Sequence, residues 1–147
     1  MRFEIAMVLA VGMLMGADSP KVDVAPSGDA FQGVWLLSSG EADGEALLQT
    51  QLKGGTLVIK GDRYTVTLAD IGTVTGTQKL GATQELKTID IVDASGPREG
   101  KICLGIYELN GNEFRVVFAS PGEARPSKFE TLPDSGQWMH VWKRIRE

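Results

Sequence analysis

The chain has 147 residues, with 15 Lys and Arg against 19 Asp and Glu, for a net charge of -4. That length suits one domain and excludes two, and acidic residues spread among basic ones exclude the basic stripe of a nucleic-acid binder. The lone cysteine, Cys103, excludes an internal disulfide, and a domain of this size needs none to hold together. Flanked by Ile102 and Leu104, it reads as a small buried hydrophobe rather than a reactive thiol.

Residues 1–17 begin with Arg2, continue through an apolar run from Ile5 to Met15, and end in Gly16 and Ala17. This is the layout of a secretory signal peptide, and the run is short for a bilayer span. The expectation is export to the periplasm or the extracellular space; an uncleaved anchor is the alternative. Residues 18–30 carry Pro20, Pro26 and Gly28 without periodicity and read as a flexible linker. The domain proper is expected over residues 31–147.

It opens on the strand-like run Phe31-Gln32-Gly33-Val34-Trp35-Leu36-Leu37, with the first strand expected from Gly33 to about Ser39. Gly33 and Trp35 share a face, because side chains alternate with period two. The glycine admits a close backbone, and the indole covers the end of a barrel or sandwich. Between Glu41 and Leu52 the spacing of Leu47, Leu48 and Leu52 suggests a short helix ended by Gly54; alternatively the strand runs on through Asp43-Gly44. Glu41, Asp43 and Glu45 read as a solvated loop.

Residues 56–60 and 63–68 flank Gly61-Asp62, a two-residue hairpin loop. In that register Ile59 faces Tyr64 and Leu57 faces Val66, and these four with Leu68 make one apolar face. Residues 72–79 read as an edge-like or curved strand. Residues 86–92 alternate, which places Asp90 and Asp93 on opposite faces and argues against an acid/base pair. A second hairpin spans residues 101–119. Its loop is expected to be Leu109, Asn110 and Gly111, so that Ile106 pairs with Phe114 and Ile102, Leu104, Ile106, Phe114, Val116 and Phe118 gather on one apolar face. Pairing of Tyr107 with Phe114 is the competing register. After a loop punctuated by Pro121, Gly122 and Pro126, a short extended piece is expected over residues 128–131. The closing strand over residues 137–144 puts Trp138, His140 and Trp142 on one face.

Roughly eight antiparallel strands in succession predict an all-β, up-and-down barrel, with a β-sandwich as the alternative. Gly33-Val34-Trp35 on the first strand and Lys143-Arg144 on the last resemble the lipocalin and calycin arrangement, in which a basic side chain packs over the tryptophan. More specifically, the chain resembles a planctomycetal conserved domain of lipocalin-like fold. The stretches that carry the resemblance are Phe31-Gln32-Gly33-Val34-Trp35, Asp43-Gly44, Leu57-Val58-Ile59-Lys60-Gly61, Leu104-Gly105-Ile106-Tyr107-Glu108-Leu109-Asn110-Gly111, Arg125-Pro126-Ser127-Lys128-Phe129 and Lys143-Arg144, from residue 31 to residue 144. It implies a closed barrel with Gly33, Trp35, Lys143 and Arg144 at the closure, and no established activity. Trp138 and Trp142 depart from that family's aliphatic closing strand.

The expected function is a non-catalytic, exported binding module. Leu57, Ile59, Tyr64, Val66, Ile102, Leu104, Ile106, Phe114, Val116 and Phe118 would line the barrel and receive a small apolar ligand. The alternative is a filled barrel acting on an envelope protein, or as an inhibitor, through its loops; Arg125 and Phe129 are the outer candidates. Enzymatic motifs are missing: His140 is the sole histidine, and there is neither a G-x-S-x-G elbow nor a phosphate loop. No metal, cofactor, nucleic acid or stable membrane span is expected.

Overall fold

A computed structural model describes residues 28–146. The expected leader and the linker up to residue 27 lie outside that range, and the last linker residues belong to a 3-10 turn, Gly28–Phe31. Nine strands follow: β1 (Gly33–Ala42), β2 (Glu45–Ala46), β3 (Thr56–Lys60), β4 (Arg63–Leu68), β5 (Gly72–Ala82), β6 (Lys87–Asp93), β7 (Ile102–Asn110), β8 (Glu113–Phe118) and β9 (Trp138–Arg146). β1 and β3 to β9 pair with their neighbours in antiparallel order, and β1 also pairs with β9. The sheet therefore closes into an eight-stranded barrel, with β2 only extending the end of β1. A single helical turn, α1 (Gln49–Leu52), precedes β3.

The Gly61-Asp62 hairpin has the expected register, Ile59 opposite Tyr64 and Leu57 opposite Val66. Gly61 supplies the positive φ of 64° that the first position of a type II′ turn requires. The second hairpin corrects the sequence reading. Leu109 pairs with Phe114 and Asn110 with Glu113, so the loop is Gly111-Asn112, again with glycine first at φ 61°. Phe114, Val116 and Phe118 still face inward. On β7 the parity reverses, and Cys103, Gly105, Tyr107 and Leu109 face in while Ile102, Leu104 and Ile106 face out. Ile106 and Val117 are nonetheless fully buried. The segment over residues 119–137 folds back across this outer face, so both faces of β7 are apolar and the pattern could not choose between registers.

Other expectations shift less. β1 continues to Ala42, past Ser39, and turns at Asp43 and Gly44, both with positive φ. The short helix is present as a single turn, Gln49–Leu52, that ends before Gly54 as expected. Residues 128–131 form no strand. Glu41 and Asp43 are structural rather than merely solvated. Glu41 Oε1 accepts from the Thr131 amide at 2.8 Å and from its hydroxyl at 2.7 Å, and Asp43 Oδ1 accepts from the Gly136 amide at 2.6 Å.

One end of the barrel is solid. The 3-10 turn drives Phe31 into it, edge-on to Tyr107 at 5.0 Å and to Phe114 at 4.9 Å between ring centroids. Trp35 is wholly buried, and its Nε1 donates to the Phe31 carbonyl at 3.0 Å. The Arg144 guanidinium lies over the Trp35 ring, 4.4 Å from its centroid. It also donates to the carbonyls of Gln32 and Ala30 and, through Nε, to Asn112 Oδ1 at 3.1 Å. One cation thus stitches the entry turn, the first strand and the second hairpin together over an aromatic plug. Lys143 takes no part in this and pairs at the surface with Glu113 at 2.8 Å.

Candidate functional site

Hairpin loops and the Phe31 plug occupy one end of the barrel, so the longer connections gather at the other. These are residues 43–55, 69–71, 94–101 and 119–137. Here the barrel is hollow. An interior cavity of about 90 Å³ is lined by Leu57, Tyr64, Val66, Phe114, Val116 and Phe118 of the expected set. Ile59 lies buried below it in the solid end. Ile102, Leu104 and Ile106 are excluded by the β7 register, and Ile102 is half exposed at the surface. Val74, Ile89, Ile91 and Trp142 complete the apolar wall.

The lining is not wholly apolar, which single-residue periodicity does not reveal. Tyr64 on β4 donates its hydroxyl to Asp93 on β6 across Gly76 of β5. A side chain at Gly76 would collide with that hydroxyl and with the Val92 carbonyl, so this pair exists because residue 76 has none. Burial first, then the hydrogen bond and the charge of Asp93, push the Tyr64 hydroxyl far above the ordinary tyrosine range. Gln78 points inward from the same wall.

Directly across the barrel, β9 presents Trp138, His140 and Trp142, as expected. With eight strands in the ring, β5 and β9 stand four apart and face each other. His140 fits because Gly40 is its partner on β1; a Cβ there would meet the His140 ring at 3.3 Å and Leu47 at 2.6 Å. The imidazole stands edge-on to Trp142 at 5.5 Å. Burial, reinforced by the Arg98 charge and opposed by Asp70, lowers its pKa to about 4, so it is neutral near pH 7. Gln78 and His140 are each only 9% exposed, and neither side chain has a hydrogen-bond partner among the described residues.

Arg98, in the loop between β6 and β7, sits at the neck. Its guanidinium lies 4.2 Å from the Trp138 ring centroid, and it has no ion-pair partner among the described residues. Outside the neck a vestibule of about 220 Å³ is lined by Leu37, Leu47 and Asp70, and it shares Leu68, Ile71, Arg98, Trp138 and His140 with the inner cavity. The two spaces therefore adjoin at these five side chains.

The outer candidates serve the fold. Arg125 Nη1 donates to Asp90 Oδ1 at 2.7 Å and to the Gly105 carbonyl at 2.9 Å, and Phe129 lies under the Arg115 guanidinium at 4.2 Å. Both anchor the 119–137 segment to the outer barrel wall. Cys103 is buried in the wall, and burial raises its thiol pKa. The buried Tyr107 hydroxyl has no partner among the described residues, and burial pushes its pKa up to about 12. Among the described residues no three His, Cys, Asp or Glu side chains converge as a metal site would require, and no helix is long and apolar enough to cross a membrane. Comparison with protein-family models, curated proteins and solved structures gives no match to this chain.

Proposed function

We propose that this chain is a non-catalytic, lipocalin-like carrier module that is exported from the cell and holds one small ligand in the hollow half of its barrel. The observation that carries this reading is the division of the interior. Aromatic side chains fill one end, while the other keeps an apolar cavity of about 90 Å³ that adjoins a larger vestibule. Drug-sized sites enclose roughly 300–1,000 Å³, so the inner space suits a small molecule or one end of a longer one. Its volume equals that of about three liquid waters. Apolar walls with a few inward polar groups are the usual composition of such sites. The export part rests on the pattern of residues 1–17.

Native mass spectrometry of the protein purified gently from its own cells tests this reading. A carried ligand adds a discrete mass that leaves on denaturation, and trimming before Asp18 marks cleavage of the leader. A bare mass, together with no change in tryptophan fluorescence across a panel of small apolar compounds, would refute the carrier reading.

A further inference from the structure

We infer that the ligand is a small apolar molecule with an anionic, carboxylate-like head, its body in the inner cavity and its head at the neck against Arg98. This deepens the carrier reading and rests on it.

Three side chains carry the inference. Arg98 is a cation with no ion-pair partner among the described residues, held over Trp138 where cavity and vestibule meet. Gln78 and His140 stand on opposite walls, nine-tenths buried, with no side-chain hydrogen bond among the described residues and with polar atoms that keep access to the open space. Polar groups that open onto a cavity wall are available to a partner that enters and fix its orientation. A planar carboxylate matches a guanidinium fork, and it also accepts from an amide NH₂ or an imidazole N–H.

The nearby acids do not undo this. Asp93 already accepts the Tyr64 hydroxyl. Asp70 lies in the exposed rim of the vestibule, 3.5 Å from Gln51 Nε2, where solvent screens it. Asp93 ends β6 at the mouth, but its Oδ1 is taken up by the Tyr64 hydroxyl on the β5 side, so the head belongs against Arg98 and the apolar body beneath it. The neutral state of His140 leaves it one N–H to give and no charge to repel a ligand body.

The test is a matched series: phenylacetate, phenylacetamide and phenethylamine, which share a ring and differ in head charge. Binding is read from the fluorescence of Trp138 and Trp142, which line the cavity, and from competition in native mass spectrometry. Phenylacetate is expected to bind about tenfold or more tighter than the amide, roughly 1.4 kcal/mol at 25 °C, with the amine weakest. Arg98→Gln should erase the preference for the anion, whereas Arg98→Lys, which keeps the charge, should retain most of it. Equal binding of acid and amide, a preference for the amine, or a preference that survives Arg98→Gln overturns the inference and leaves the carrier reading standing. No binding by any of the three, with a bare native mass, overturns both.

Discussion

Trp35 and His140 show how single side chains divide the barrel into a base and a mouth. Trp35 is wholly buried between Phe31, Phe114 and the Arg144 guanidinium. Trp35→Ala would leave an uncollapsed void and an uncovered cation, and should cost about 3–5 kcal/mol in urea or guanidinium unfolding. A loss below about 1 kcal/mol would show that closure does not depend on the indole. Lys143→Ala should change little, because its partner is an exposed glutamate. His140 acts through pH. Its folded-state pKa of about 4 lies below the ordinary 6.5, so between these values the unfolded chain binds a proton that the folded chain refuses. Its contribution is complete above pH 6.5 and lost as pH falls toward 4, by about 3 kcal/mol. In His140→Gln, unfolding free energies measured from pH 8 to pH 4 should lose that part of the slope. An unchanged slope would mean that other groups carry the acid sensitivity.

The hairpins show what the sequence can and cannot say about an element. Gly61-Asp62 was legible because one face of β3 and β4 is apolar and the other is rich in Thr, Lys and Arg, so a slip would bury charge. Gly111-Asn112 is the same turn chemistry, glycine first and a polar residue second. It was misread because Asn110-Gly111 is also a turn signal, and because the 119–137 segment buries Ile106 and Val117 on the outside. The cavity shares this asymmetry. Leu57, Val66, Val116 and Phe118 follow from alternation, whereas Gln78 and Arg98 are isolated polar residues that gain meaning only when β5, β9 and the 94–101 loop come together. Phe31 heads the strand-like run in the sequence, and only the closed ring shows it as a plug. The turn assignment makes a test. Gly111→Ala forces a β-carbon onto a φ of 61° and should cost about 1–2 kcal/mol, while Asn110→Ser, at a strand position, should be nearly neutral. The reverse order of effects would restore the Asn110-Gly111 loop.

At the scale of the whole molecule, a solid base and a hollow mouth require different local stabilities. At the base, rings interlock around Phe31 and Trp35 and one arginine ties three segments, so its amides open only with the entire barrel. At the mouth, the connections over residues 69–71 and 94–101 have little apolar surface beneath them. They rest on a few turn hydrogen bonds, such as Ile71 N to the Leu68 carbonyl at 3.3 Å, Ala94 N to Thr75 at 2.7 Å and Gly100 N to Asp93 at 2.8 Å. Segments with few buried contacts open locally at free energies well below the global value. Hydrogen exchange should therefore show the amides of Trp35, Ile59 and Phe114 exchanging at the global unfolding limit, and those of Ile71, Ala94 and Gly100 exchanging at least about a hundredfold faster, a gap of roughly 2.7 kcal/mol. A bound ligand at the neck would slow the second group and leave the first unchanged, because the base gains no contact from it. Uniform protection at both ends would mean that the mouth is as rigid as the base, and a ligand could then enter only by opening the whole barrel.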